Sequence, residues 1–187
     1  MFDAVVLAGG SGRRLGGADK PGLLLADRSL LDRVLSASAA AGTTVVVGPP
    51  RATCRPVQWC REEPAGSGPV AALRTGLARV TAEVVVVLAA DLPFLTPDLV
   101  RTLLGAMAGD GAVLVDAAGR DQYLCSAWST AALRAADLTV DRMGAVVRQL
   151  DAARVSPPVA SGRPAPWTDI DTAEDLSGAQ QWEKERG

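Results

Sequence analysis

Residues 9–20 combine the features of a segment that binds an anion. Five glycines fall within nine consecutive positions, and their backbone N–H groups can approach a phosphate closely. Arg13, Arg14 and Lys20 add positive charge. A dinucleotide-binding fingerprint would need glycine where Leu15 stands, and a Walker A loop would need Gly-Lys-Ser/Thr, which is absent here. The segment therefore predicts a phosphate-binding loop of another kind, with a flexible surface loop as the alternative.

Asp91 is the second candidate for chemistry, because it follows the most apolar run of the chain, residues 84–88. Mg²⁺ takes one or two carboxylates together with water and substrate phosphates, so a carboxylate at a strand end is a natural ligand. The alternative is that Asp91 only stabilises a turn before Pro93. The glycine-rich segment elsewhere in the same chain favours the metal-binding interpretation.

Strands and helices that could position these residues alternate along the chain. The pattern predicts strands at 4–8, 43–47, 83–90, 112–115, 122–127 and 167–170, and helices at 29–41, 69–80, 97–108, 130–136, 144–150 and from 172 onward. Such alternation is typical of an α/β fold, here a single domain over residues 1–187 with three αβα layers and a doubly wound, mostly parallel sheet. Ligands of such sheets bind at the carboxyl ends of the strands.

Composition excludes several other classes of function. The 187 residues include no histidine, so His-dependent nucleophile pairs and His-rich zinc sites are excluded. Aromatic residues make up only 4% and the net charge is −2, which argues against nucleic-acid binding. The longest apolar run is too short to cross a membrane, and the three cysteines form no CxxC pair. We expect a cytoplasmic protein that binds neither nucleic acid nor membrane.

The motifs resemble those of the molybdenum cofactor guanylyltransferases, which are nucleotidyltransferases with a Rossmann-like fold. The resemblance begins with Leu-Ala-Gly-Gly at 7–10, followed by Arg14, Gly16, Asp19 and Lys20. Residues 66–72 are similar to the family's Gly-Pro-Leu-Ala-Gly segment, and residues 90–94 resemble its Asp-x-Pro metal motif. Residues 169–176 resemble its terminal Asn-x-Asn/Asp-Thr-Pro-Glu-Asp-Leu segment.

The resemblance implies Mg²⁺-dependent guanylyl transfer from GTP to molybdopterin, giving molybdopterin guanine dinucleotide and pyrophosphate. Molybdoenzymes or proteins that handle the cofactor are the implied protein partners. The implied catalytic residues are Arg14, Lys20 and Asp91. The implied metal ligand is Asp91, joined by Asp169 or Asp171 near the metal or the acceptor. The implied nucleotide-binding residues are Leu7, Ala8, Gly9, Gly10, Ser11, Gly12, Lys20, Gly68, Pro69 and Asp91.

Several departures from the family pattern keep other functions open. Val70 and Ala72 replace the usual leucine and glycine, and residues 122–124 stand where the family has a Pro-Leu pair. The alternatives are cytidylyl transfer to molybdopterin, guanylyl transfer to a phosphorylated small acid, and a GTP-binding module without catalysis. Asp19 before Lys20 favours the guanylyl branch. Glu62 and Glu63 are interpreted as a solvated pair on the surface.

Overall fold

The computed structural model of the protein describes residues 1–9 and 18–185. Nine strands and six α-helices occur in this part of the chain, and a single 3₁₀ turn at Lys20–Gly22 precedes the second strand. The strands are β1 (Asp3–Leu7), β2 (Leu24–Leu25), β3 (Arg28–Ser29), β4 (Thr44–Val47), β5 (Gln58–Cys60), β6 (Val84–Ala89), β7 (Gly111–Val115), β8 (Asp121–Ser129) and β9 (Ala152–Val155). The helices are α1 (Leu30–Ala37), α2 (Pro69–Leu77), α3 (Pro97–Gly105), α4 (Thr130–Ala135), α5 (Met143–Val147) and α6 (Ala173–Lys184).

Seven strands form one sheet in the order β5-β4-β1-β6-β8-β7-β9. β8 runs antiparallel to β6 and β7, and the other neighbouring pairs are parallel. β1 and β4 are buried at every position, as continuous apolar runs in the middle of a parallel sheet require. The carboxyl ends of β1, β4 and β6 therefore lie side by side at one edge of the sheet.

Helices cover both faces of this sheet. The apolar sides of α1 and α3 pack on one face, through residues such as Leu31, Leu35 and Leu103. α2, α4 and α5 pack on the other face, where Leu73 and Leu133 are buried. This arrangement confirms the predicted α/β class with its three layers and mostly parallel sheet.

The last helix packs away from the sheet and completes a third apolar cluster. This cluster joins the small β2–β3 hairpin, the start of α1 and the α6 region. Its buried members are Leu25, Leu30, Ile170 and Ala179. Thr172 caps α6 in a reciprocal capping box with Asp175, which fixes where the helix begins. The prediction that a helix starts at Thr172 is confirmed.

The predicted strand at 167–170 is wrong. Ile170 donates one backbone hydrogen bond to the carbonyl of Asp91, and its side chain anchors the segment without a strand partner. Conversely, the short strands β5 and β9 lie at the two sheet edges and are only partly buried, so they lack the apolar runs that predict buried strands. In residues 1–9 and 18–185, no helix is long and apolar enough to span a membrane.

Candidate active site at the carboxyl edge of the sheet

A cavity of about 620 Å³ opens where β1, β4 and β6 end. Residues after each of these strands contribute to its wall, and the amino end of α2 closes it on one side. The lining consists of Leu7, Gly9, Gly48, Pro49, Arg61, Glu62, Ala65, Gly66, Gly68, Pro69, Ala72, Ala89, Asp91 and Leu124. The cavity thus lies at the edge where ligands of open α/β sheets bind.

Two glycines give this wall its shape. Gly48 has φ +153°, and a Cβ there would lie 2.6 Å from the carbonyl oxygen of Ala8, so no side chain fits between the ends of β1 and β4. Gly68 has φ +93° and precedes α2, in a conformation that residues with side chains rarely adopt. At Gly48 and Gly68 the cavity is therefore lined by backbone atoms, and no side chain projects into it.

Lys20 meets two carboxylates from distant parts of the chain. Its Nζ lies 2.5 Å from Oδ2 of Asp91, and it also donates a hydrogen bond to Oδ1 of Asp171. Asp91 follows β6, and Asp171 precedes α6. The side chain of Lys20 is mostly buried, with 16% of its surface exposed. The ammonium group of Lys20 thus links its own segment with those of Asp91 and Asp171, the last of which lies 151 positions further along the chain.

Local structure explains how these groups are held. Asp175, which forms the capping box of α6 with Thr172, also accepts the backbone N–H of Asp171 at 3.0 Å. The carbonyl of Asp91 accepts the N–H of Ile170, so the segment leading to Asp171 is tied to the end of β6. Hydrogen bonds thus fix the backbone at both aspartates.

The electrostatics of the cluster favour a charged lysine. Burial by itself would lower the pKa of Lys20, but the charges and hydrogen bonds of Asp91 and Asp171 outweigh it and raise the pKa above its ordinary value. The pKa of Asp169 is also raised, first by desolvation and then by the negative charges of Asp171 and Asp91. Asp169 therefore belongs to the same electrostatic cluster.

The donor set suits a hard cation that shares its coordination with a ligand. Within the described ranges, no three Asp, Glu, Cys or His side chains are arranged to enclose a metal ion. Asp91 and Asp171 nevertheless converge on one point, which the Lys20 ammonium group occupies. Mg²⁺ commonly binds one or two carboxylates and completes its shell with phosphate and water. The carboxylates therefore fit Mg²⁺ in the presence of a nucleotide.

Glu62 is a residue of this cavity that the sequence did not single out. The solvated-pair interpretation is wrong for Glu62, which is 6% exposed, whereas the neighbouring Glu63 is exposed. Oε1 of Glu62 accepts the N–H of Gly66 at 2.8 Å, and Oε2 is buried with no hydrogen-bond partner among the described residues. An unpaired buried carboxylate oxygen is costly, so a donor from a bound ligand would stabilise it. Two adjacent glutamates are usually solvated, so the sequence carried no signal that one of them is buried.

The structure brings most of the predicted site residues together. Leu7, Gly9, Gly68, Pro69 and Asp91 line the cavity, and Ala8 is buried just behind it. Lys20 and Asp171 contact each other beside Asp91, and Asp169 lies within electrostatic reach. Gly10, Ser11, Gly12 and Arg14 lie outside the described residues. The roles assigned to individual residues stay predictions.

Comparison with known proteins identifies the family. Residues 4–158 match the model of the MobA-like NTP transferase domain. A molybdenum cofactor guanylyltransferase from Rhodobacter capsulatus is 31% identical, over 94% of this chain and 93% of that protein. The guanylyltransferase from Acidiphilium cryptum is 34% identical, over 75% of this chain and 74% of its own.

Solved structures share the fold at lower sequence identity. Molybdopterin-guanine dinucleotide biosynthesis protein A from Archaeoglobus fulgidus has a TM-score of 0.69 at 21% identity, covering 98% of this chain and 99% of that one. The 2-C-methyl-D-erythritol 4-phosphate cytidylyltransferase from Thermus thermophilus has a TM-score of 0.68 at 20% identity, covering 98% of this chain and all of that one. The family match and the Rhodobacter relative together show that this chain belongs to the MobA-like NTP transferase family.

Proposed function

We propose that the protein transfers the guanylyl group of GTP to the terminal phosphate of molybdopterin and releases pyrophosphate. Membership of the MobA-like family supports nucleotidyl transfer, and relatives over most of the chain are named molybdenum cofactor guanylyltransferases. The observation that carries the choice of base is Glu62, which lines the cavity and whose buried Oε2 has no partner in the part of the chain that the structure describes.

Glu62 suits guanine because of the donors on this base. Guanine carries two neighbouring donors on one edge, the N1–H and the 2-amino group, so a single carboxylate group can accept hydrogen bonds from both. A carboxylate accepts hydrogen bonds at both oxygens, and such charge-assisted bonds are stronger than neutral ones. Cytosine and uracil offer a single donor at most on the corresponding edge, with an acceptor beside it that a carboxylate repels. The cavity therefore suits guanine better than a pyrimidine.

The reaction needs charge stabilisation more than proton transfer. An oxygen of the acceptor phosphate attacks the α-phosphorus of GTP, the new O–P bond forms, and the bond to the β-phosphate oxygen breaks. The nucleophile is anionic near neutral pH, so no general base is needed, in agreement with a chain that lacks histidine. Lys20, charged and adjacent to Asp91, would bind phosphate oxygens as their negative charge increases.

A divalent cation is part of the proposal. Mg²⁺, when bound, would neutralise phosphate charge and favour departure of pyrophosphate. Asp91 and Asp171 would hold it, and Asp169 would add negative charge nearby. Lys20 would then exchange its carboxylate partners for phosphate oxygens.

Molybdoenzymes or proteins that handle the cofactor are the proposed recipients of the product. The proposed location is the cytoplasm, which the free thiols of Cys54, Cys60 and Cys125 suit.

The test is pyrophosphate release by the purified protein with each of the four NTPs, with and without molybdopterin, in buffers with and without Mg²⁺. The proposal expects release only when GTP, molybdopterin and Mg²⁺ are present together. Release with CTP in place of GTP would replace guanylyl transfer by cytidylyl transfer. GTP binding with no release under any condition would indicate a binding module and overturn the proposal.

A further inference from the structure

Arg51 makes a set of contacts beside the cavity that the reaction as described does not use. Its Nε and Nη2 atoms donate to the two carboxylate oxygens of Asp19, at 3.0 and 2.6 Å. The guanidinium carbon also lies 5.8 Å from the ring centre of Trp59, over the indole. The side chain is only 14% exposed, and Nη1 is buried with no hydrogen-bond partner in residues 1–9 and 18–185. Arg51 is thus held on two sides in one orientation.

These contacts join two segments that border the cavity. Arg51 lies three residues after Gly48, in the segment that continues from β4 past the cavity wall. Asp19 directly precedes Lys20, and its carbonyl accepts the N–H of Gly22 in the turn that carries Lys20. The Arg51–Asp19 pair therefore fixes the backbone immediately before the residue whose ammonium group meets Asp91.

The pair is poorly explained as a source of fold stability. Asp19 is 58% exposed, and ion pairs with such an exposed partner contribute little to the free energy of unfolding. Meanwhile a buried guanidinium nitrogen without a partner is unfavourable. What the arrangement does provide is geometry, because a bidentate pair stacked on an indole restricts both side chains. A lysine at position 51 could not donate two parallel hydrogen bonds to Asp19 as the guanidinium group does.

We propose that Arg51 is a positioning residue for nucleotidyl transfer: held on Trp59, it clamps Asp19 and so keeps Lys20 in register with Asp91. The inference rests on the proposed function for its kinetic consequence. Its structural consequence does not depend on any substrate, because the position of Lys20 can be measured in the free protein.

The chain offers an internal control for that measurement. Its only lysines are Lys20 and Lys184, and Lys184 is exposed at the end of α6. The folded enzyme is treated with an amine-acylating reagent for increasing times and then digested. Mass spectrometry of the peptides gives the rate at which each lysine is modified. The matched control variant is Arg55→Ala, because Arg55 lies in the same segment and donates to the carbonyls of Leu35 and Ser38, not to Asp19.

Arg51→Ala is expected to increase the labelling of Lys20 several-fold relative to Lys184, and Arg51→Lys to do so as well. Asp19→Ala should give the same increase, and the double variant should be no worse than either single one, as expected for residues that act through one contact. In steady-state assays with GTP, kcat should fall about 10- to 100-fold in Arg51→Ala, the cost of a misplaced catalytic group. KM for GTP should change much less.

Three outcomes would overturn the inference. They are unchanged labelling of Lys20 in Arg51→Ala, an equal increase in Arg55→Ala, and additive effects of the Asp19 and Arg51 substitutions. Failure of the proposed function is distinguishable, because it would appear as no transfer by the wild-type protein with any nucleotide. The labelling comparison would still decide on Arg51 in that case.

Discussion

Replacing Glu62 by glutamine tests how the cavity recognises its base. The substitution preserves the size of the side chain and an oxygen that can accept the N–H of Gly66, now 2.8 Å from Oε1. It removes the negative charge and places an amide NH₂ where Oε2 has no partner. That NH₂ group would face the donors of guanine. One donor–acceptor contact is therefore lost and one donor–donor contact is created.

The magnitude follows from the single oxygen that changes. A hydrogen bond to a charged group contributes about 1.5–3 kcal/mol, and each 1.4 kcal/mol corresponds to about tenfold. We therefore expect Glu62→Gln to lower kcat/KM for GTP by about 10- to 150-fold. The matched control is Glu63→Gln, because Glu63 is the exposed neighbour and should leave kcat/KM within about twofold.

The decisive assay compares GTP with ITP, whose base lacks the 2-amino group. The wild-type protein should use GTP better than ITP, because in the proposed site Glu62 would accept a hydrogen bond from that amino group. Glu62→Gln should lose most of this preference, since the contact that distinguishes the two bases is gone. The same GTP-to-ITP ratio of kcat/KM in the variant and the wild-type protein would refute the assignment of Glu62 to guanine.

Three further predictions concern the phosphate site and the fold. Asp91→Asn, which keeps the shape of the side chain, should lower Mg²⁺-dependent pyrophosphate release by about 10²–10³-fold in a variant that circular dichroism shows to be folded; near-normal release would remove Asp91 from the proposed metal site. Burial would raise the pKa of Asp3, but the N–H groups of residues 82, 81 and 43 outweigh it and lower the pKa, so its stabilisation is present above the ordinary pKa and is lost as the pH falls through the lowered value. Asp3→Asn should thus lower the free energy of unfolding by about 2–3 kcal/mol at pH 7 and by progressively less below about pH 4, measured by urea denaturation; a difference independent of pH would contradict this. Gly76→Ala should cost about 1–3 kcal/mol, since its Cβ would lie 2.7 and 2.8 Å from valine side chains of β1 and β4, whereas Gly105→Ala meets no atom within 4 Å and serves as the control; equal stability of the two variants would contradict the packing argument.

The buried part of the fold could be predicted because its signals are local. Residues 84–88 are apolar without interruption, and such a run has few interpretations other than a central strand. Thr96 and Thr172 mark helix starts because their hydroxyl groups accept backbone N–H groups of the first turn. Edge strands such as β9 carry no comparable signal, because their residues are only partly buried and form no continuous apolar run.

The site could be predicted only as far as its motifs extend. Asp91 follows a recognisable strand, and Lys20 ends a recognisable loop, so both could be found from the sequence. That Lys20 bridges Asp91 and Asp171 depends on how the segment before α6 packs against the end of β6, which no local pattern encodes. Glu62 owes its burial to residues elsewhere in the chain, and charged residues are usually solvated, so the sequence indicated a surface position. No motif of the sequence pointed to Arg51, whose side chain is also mostly buried.

The most direct test of guanylyl transfer follows the phosphates of GTP. The protein would be incubated with molybdopterin, Mg²⁺ and GTP labelled with ³²P at either the α- or the γ-phosphate. If the protein transfers the guanylyl group, α-label appears in a pterin dinucleotide product and γ-label appears only in pyrophosphate. Release of γ-label as free phosphate, or a pterin product without α-label, would contradict guanylyl transfer.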